Sequence, residues 1–287
     1  MGRYLGVDLH RNCFTVCTIE EGGRSYLREW RLKDLGWFVA QLRGRDEVAV
    51  EVTGKTRLFY DAVVGKVSRV VVVNPSEFKV ISQCVNKTDG NDGRRLALFL
   101  SKGLLPEVRM KDKAHGQLAS ITQTRDKLVK LRTALRNKIN NIVLAHGINL
   151  KKEELSSERG LEKVWGMMFD PLVALEVKVL VKQIRSLNKS ISELDKAIEE
   201  EGWKLKGHKN LKSIKGIGDL GAGILLSVIG DVNDFANEGK LASYFGIVPR
   251  VSNSNETQRS GRITKRGSKL GRTTLVQCCL IAKRYSL

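Results

Sequence analysis

The architecture this sequence predicts is an α/β domain on a mixed sheet, followed by an all-α region made of a helical connector and a small C-terminal domain. Three patterns lead there. Three β-type segments open the chain, helix and strand signals then alternate, and from about residue 112 the apolar residues fall at helical period. These changes of texture divide the chain into 1–111, 112–205 and 206–287.

Tyr4-Leu5-Gly6-Val7-Asp8 reads as the first strand, Phe14 to Ile19 as a β-branched second and Ser25 to Trp30 as a third. Glu20-Glu21-Gly22-Gly23 is turn chemistry, so these strands form an antiparallel meander. A helix near 33–43 leads to Val48-Ala49-Val50-Glu51-Val52. A helix near 56–66 leads to Val70-Val71-Val72-Val73, which Asn74-Pro75 ends. Apolar strands alternating with helices pair in parallel, and this makes the sheet mixed.

In the connector, Leu118, Ile121, Leu128, Leu131, Leu135, Ile139 and Ile142 form one stripe. Val173, Val177, Leu180, Ile184, Leu187, Ile191, Leu194 and Ile198 step by four and three alternately, the period of a coiled-coil seam. A 147–170 loop either returns the second helix antiparallel to the first or separates helices that pair with another subunit. In the last region, Leu211 to Gly218 has a helix-hairpin-helix pattern, with Gly216 and Gly218 letting backbone N–H groups approach phosphate.

The 287 residues include 50 Lys+Arg against 31 Asp+Glu, a formal charge of +19 that calls for a polyanionic partner. Between 241 and 287, Arg250, Arg259, Arg262, Lys265, Arg266, Lys269, Arg272, Lys283 and Arg284 face Glu256 alone, which makes this segment the densest phosphate-binding candidate. Arg125, Lys127, Lys130, Arg132, Arg136 and Lys138 add basic charge to the helices. An aromatic share of 6% favours contacts to duplex backbone over stacking on single strands. No apolar run approaches the ~18 residues of a membrane span. The chain enters a strand pattern at once, unlike a signal peptide. The 5 cysteines lack zinc spacing and the 4 histidines are scattered, so the thiols read as buried and free in a reducing cytosol.

Four carboxylates stand apart. Asp8 lies within the first strand and Glu51 within the Val-rich fourth, where an ionised group is costly unless a cation compensates it. Asp89 and Asp92, in Lys87-Thr88-Asp89-Gly90-Asn91-Asp92, share one face if that turn is helical. Hard oxygen ligands converging on one edge suit Mg²⁺ or Mn²⁺, and two such ions clamp a phosphodiester. The plainer alternatives are a strand-end Asp8 bonded to backbone, Glu51 paired with a lysine, and Asp89 or Asp92 as helix caps.

With these residues in view, the chain resembles the DEDD-type insertion-sequence transposases, the bridge-RNA-guided serine recombinases. The N-terminal matches are Gly6-Val7-Asp8, Val50-Glu51-Val52-Thr53-Gly54 and Lys87-Thr88-Asp89-x-x-Asp92, with Gly93 where Ala is usual. The C-terminal matches are Gly216-Ile217-Gly218, Tyr244 to Pro249 and Gly261-Arg262-Ile263-Thr264-Lys265-Arg266-Gly267. The resemblance implies a RuvC-like, ribonuclease-H-type mixed sheet with flanking helices, an antiparallel coiled-coil connector and a helical serine transposase domain.

It also implies DNA transposition by site-specific recombination, with Asp8, Glu51, Asp89 and Asp92 holding Mg²⁺ or Mn²⁺. Ser254 takes the place of the nucleophile, with Ser252 and Ser260 competing for it. The implied partners are donor and target double-stranded DNA, a guide (bridge) RNA and further copies of the chain. These copies form a homodimer held partly by the 171–200 seam, and a tetramer when two DNAs are joined. The implied setting is cytoplasmic and nucleoid-associated. The rival readings are a RuvC-like metal-dependent nuclease without a covalent intermediate and an inactive nucleic-acid-binding protein.

Overall fold

A computed structural model describes residues 2–75, 78, 89–151, 153–254 and 257–285, with the side chains of 89, 252–254 and 257–260 outside that description. The chain divides into two compact units, Met1–Met110 and Lys111–Leu287.

The first unit is built on β1 (Arg3–Leu9), β2 (Cys13–Glu20), β3 (Ser25–Arg31), β4 (Glu47–Glu51) and β5 (Arg69–Val73). Their order in the sheet is β3-β2-β1-β4-β5. The β1–β2 and β2–β3 pairs are antiparallel, whereas β1–β4 and β4–β5 are parallel. The predicted meander and parallel half are both present, because β-branched residues fill a strand and the Gly22-Gly23 turn supplies the left-handed residue, Gly23 at φ +80°.

Strand pleating sorts the side chains. Val7, Phe14, Val48, Val50 and Val72 pack with Phe38 of α1 (Leu35–Val39) and Phe59 of α2 (Thr56–Val63). Ala49, Val71 and Val73 face the other way, toward Leu96 and Leu100 of α3 (Asp89–Ser101). The helix expected over 33–43 stops earlier. The backbone turns beyond Leu42 so that the Arg43 N–H donates to Asp46 Oδ2 at 2.8 Å. Asp46, fully buried, forms an ion pair of 2.6 Å with Arg3.

In the second unit, α4 (Lys113–Ala145) and α6 (Pro171–Trp203) lie antiparallel. Their cross-links run in opposite order along the two helices: Arg125 to Asp195 at 2.6 Å, Arg132 to Asn188 at 3.0 Å and Lys138 to Glu176 at 3.0 Å. The seam turns inward within the chain, with Val177, Ile184, Ile191 and Ile198 buried. Within the chain, α4 covers that buried edge of α6, while Leu172, Leu175 and Val179 of the same helix stay exposed. On α4, Leu131 leaves the expected stripe and is exposed, because Arg125, Arg132 and Arg136 occupy the middle of the α4–α6 junction instead. Several connector cations are spent within the fold, Lys130 on Asp126 among them.

The expected 147–170 loop contains α5 (Glu158–Trp165), capped by Ser157, whose hydroxyl accepts from the Gly160 N–H at 3.1 Å. Buried Leu161 and Val164 seat it on the hairpin.

The short α7 (His208–Lys212) and the almost wholly buried α8 (Asp219–Ile229) follow, then α9 (Glu238–Phe245) and α10 (Lys269–Arg284). The α6–α8 approach requires glycine on both sides: a Cβ on Gly202 would lie 2.8 Å from the Gly223 Cα. The expected all-helical C-terminal domain is corrected by an antiparallel hairpin, β6 (Pro249–Ser254) and β7 (Thr257–Ile263). Its residues are polar on both faces, so no period-two pattern announced it. The buried-thiol expectation holds for Cys17 and Cys278 but not for exposed Cys279, because neighbouring helical residues point ~100° apart. No helix among the described residues is long and apolar enough to cross a membrane.

Candidate active site

Register and pleat bring Asp8 and Glu51 together. Val7 pairs with Val50, so Asp8 and Glu51 are the next residues on neighbouring parallel strands, at their carboxyl ends. Asp8 shares its face with Gly6, and Glu51 shares its face with Ala49. That face is the one covered by α3. Asp92 lies in the first turns of α3, and Asp89 begins the same helix three residues earlier, so the helical reading of that turn holds. The side chain of Asp89 lies outside the described residues.

The close seating of α3 depends on Gly6, where a Cβ would lie 2.0 Å from the Gly93 carbonyl oxygen and 2.4 Å from the Ala97 nitrogen. The Asp8 side chain is 15% exposed and its Oδ2 is 3.3 Å from His10 Nε2. Asp92 Oδ1 accepts from Arg95 Nη1 at 3.4 Å. Three residues that sequence reasoning passed over complete this edge. Thr56, 3% exposed, donates its hydroxyl to the Glu51 carbonyl at 2.8 Å and accepts from the Thr53 N–H at 2.6 Å. Lys55 bonds the Arg11 carbonyl. His10 stands beside Asp8. A Thr-x-x-Thr turn after a buried strand was the available signal for Thr56.

For a divalent cation the donor chemistry fits. Asp8, Glu51 and Asp92 offer carboxylate oxygens from two strand ends and one helix, the hard ligands that Mg²⁺ and Mn²⁺ prefer. Among the described residues, no three ligating side chains are already drawn together as a closed set.

The second unit carries the basic hairpin. Ser254 ends β6 and pairs in register with Thr257, while Ser252 pairs with Arg259 and Val251 with Ser260. The side chains of Ser252, Ser254, Arg259 and Ser260 lie outside the described residues. Arg250, Arg262, Lys265, Arg266 and Lys269 are exposed. The segment after β7 is tied back to α9: Lys265, at φ +55°, donates its N–H to the Gly246 carbonyl at 3.0 Å. Arg272 serves the fold, donating from Nη1 to the carbonyls of Phe245 at 2.9 Å and Gly267 at 3.1 Å. Gly216, at φ +94°, lets the α7–α8 turn approach α10, where a Cβ would meet the Cys278 carbonyl oxygen at 2.5 Å. Gly218 caps α8 with open space beside it.

Comparison with known proteins matches both ends of the chain. A family model for DEDD transposases of the IS110 type, described as "Transposase", covers residues 5–147. A second, "Transposase IS116/IS110/IS902 family", covers residues 208–286. The transposase for insertion sequence element IS1111A of Coxiella burnetii is 26% identical over 281 residues, 96% of this chain and 76% of that protein. The transposase for insertion sequence element IS1328 of Yersinia enterocolitica is 24% identical over 285 residues, covering 96% and 83% respectively. A probable family 20 transposase of Pseudomonas aeruginosa is 26% identical over 205 residues, 68% of this chain and 61% of that protein. With a DEDD carboxylate pattern at one end, the IS116/IS110/IS902 signature at the other and relatives aligned along nearly its whole length, the chain belongs to the DEDD-type IS110/IS116 family of transposases.

Proposed function

We propose that this chain is a DNA transposase that moves an insertion sequence by site-specific strand cleavage and rejoining. The observation that carries this reading is the adjacency of Asp8 and Glu51 at the ends of two parallel strands, facing the helix that bears Asp92. Asp8, Glu51, Asp89 and Asp92 hold Mg²⁺ or Mn²⁺, which when bound supplies charge neutralisation at the scissile phosphate. Thr56 fixes the backbone of Glu51. The exposed cations Arg250, Arg262, Lys265, Arg266 and Lys269 hold phosphates near the β6–β7 hairpin.

Ser254 is the nucleophile. Its Oγ forms a phosphoserine ester as the bond from phosphorus to one strand oxygen breaks; the proton lost from Oγ passes to solvent and the departing strand oxygen takes one up. Rejoining reverses these steps on another strand end. An element-encoded guide (bridge) RNA selects donor and target DNA by pairing. The working assembly is a homodimer, doubled to a tetramer when two DNAs are joined, and its subunit contacts lie outside the seam that α4 covers.

Incubating the protein, guide RNA and Mg²⁺ with a nicked suicide duplex tests this reading. A covalent protein–DNA adduct mapping to Ser254 and absent from Ser254→Ala supports it. A Ser254→Ala protein that cleaves normally without any covalent adduct means that water is the nucleophile, as in a RuvC-like nuclease, and one that keeps its adduct moves the nucleophile to Ser252 or Ser260. An absence of Mg²⁺-dependent cleavage, with nucleic acid still bound, means a binding protein alone.

A further inference from the structure

We propose that the outer face of α6 from Lys178 to Lys189, seated on Trp165, docks the sugar–phosphate backbone of double-stranded DNA. The inference rests on the transposase reading and adds a surface remote from the carboxylates and from the β6–β7 hairpin in sequence.

Lys178, Lys182, Arg185 and Lys189 follow one another at spacings of four, three and four, so they share one face of α6, about 100° round the helix from its buried seam. From Lys178 to Lys189 is eleven residue steps, ~16 Å of helix. Along B-DNA, where one strand carries a phosphate per ~3.4 Å of axis, such a row passes about five phosphates. A face that merely keeps a helix in water usually alternates signs. This one does not: among the described residues, the carboxylate ion-paired to the row is Glu158, which accepts from Arg185 Nε at 2.6 Å.

Trp165 at the end of α5 gathers three of the four. Lys178 Nζ lies 5.8 Å, Lys182 Nζ 5.9 Å and Arg185 Cζ 5.6 Å from the ring centroid. The ring attracts each cation through its quadrupole and gives their alkyl stems an apolar seat, but it neutralises none of them. Crowding three like charges around one ring is unfavourable in isolation and is relieved by a polyanion. Three of the four residues are lysines, point charges without the planar fork that reads guanine, so the row positions a backbone rather than reading sequence. An unpaired base would have to displace these cations to stack on the half-buried ring.

The test measures affinity of the full chain for a fluorescent 30-base-pair DNA duplex across a salt series, with Lys178→Glu/Lys182→Glu beside wild type. The surface predicts at least ~10-fold weaker binding at low salt and a salt slope shallower by about 2. Lys178→Gln/Lys182→Gln should lose part of this. Lys33→Glu/Lys66→Glu, an equal charge change in the first unit, should lose little. Matching circular dichroism and melting temperatures exclude unfolding as the cause. Wild-type affinity in the double variant, or an equal loss in the control pair, overturns the inference and leaves the transposase reading in place. Weakened binding to a matched RNA duplex with DNA binding intact overturns the assignment to DNA. A wild-type chain that binds no duplex DNA, alone or with its guide RNA, overturns both.

Discussion

Gly6 of β1 and Gly93 of α3 meet backbone to backbone: a Cβ on Gly6 would sit 2.0 Å from the Gly93 carbonyl oxygen. That contact seats the helix bearing Asp92 on the strand bearing Asp8. The two glycines are not equivalent, since a Cβ on Gly93 finds the Gly6 oxygen at 3.2 Å and Cys17 atoms at 3.6 Å. Gly6→Ala should therefore lift α3, cost about 1–3 kcal/mol or more by overpacking and abolish cleavage. Gly93→Ala should stay within ~1 kcal/mol of wild type and remain active. Urea melts and a cleavage assay on the pair check this, and equal effects of the two substitutions would refute it.

Asp8→Asn and Glu51→Gln each replace a carboxylate by a neutral amide of the same shape. On the proposed reading they remove cleavage by more than the ~10–100-fold typical of an outer-shell change at a metal site. DNA affinity should hold, because phosphate contacts come from Lys and Arg. Cleavage rates at several Mg²⁺ concentrations, together with fluorescence anisotropy, separate the two effects. Either variant cleaving at wild-type rate would show that its carboxylate is structural.

In the α4–α6 junction the Arg125 guanidinium meets both oxygens of Asp195, at 2.6 and 3.3 Å, with the side chains 21% and 27% exposed. A double-mutant cycle should give a coupling of about 1 kcal/mol, the upper part of the range for exposed pairs. Arg136 differs. Burial, then the nearby positive charge of Arg132, pushes its pKa down, and its hydrogen-bond partner is the Ser156 hydroxyl at 3.2 Å. Arg136→Leu should leave stability unchanged or raise it by ~1 kcal/mol. A loss near 2 kcal/mol would mean that the charge is compensated.

Asp112 caps α4, accepting from the His115 backbone N–H at 2.9 Å and lying 2.6 Å from His115 Nδ1. Partial burial raises its pKa, but the hydrogen bonds from His115 outweigh that, and the net shift is downward. A folded-state pKa below the unfolded one adds stability that is fully present above the unfolded value. It fades as pH falls through the folded value. Asp112→Ala should cost about 1 kcal/mol at neutral pH. The gap to wild type should shrink as pH drops below ~4. Denaturant melts between pH 7 and pH 3 measure it, and a gap that does not change with pH would refute the cap's ionic character.

Much of the first unit was legible because its information is local. Alternating β-branched residues, a Gly-Gly turn and helix–strand alternation specify β1 to β5 within a residue or two, whereas the spacing of Asp89 and Asp92 implied a shared face only on condition that their turn was helical, which α3 supplies. The β6–β7 hairpin was not legible. Arg250-Val251-Ser252-Asn253-Ser254 offers no apolar face, so the strands exist through main-chain pairing and through the Gly246 and Gly267 turns packed against α9. The helix α5 was missed although Ser157 capped it, because its apolar residues, Leu161 and Val164, are too few to show a period.

By itself the sequence determined which elements form, which carboxylates and cations are available, and that a heptad seam must be covered. Periodicity and charge are properties of a chain read residue by residue. Only the tertiary structure decided what each of them meets. Parallel pairing of Val7 with Val50 set Asp8 beside Glu51, glycine at position 6 let α3 close over them, and α4 took the α6 seam. The same packing spent Arg125 and Arg272 inside the fold and left Lys178 and Lys182 gathered on Trp165 in the open. Partners far apart in sequence are chosen by which surfaces can approach without steric clash or unpaired buried charge, and that choice is made by the folded whole.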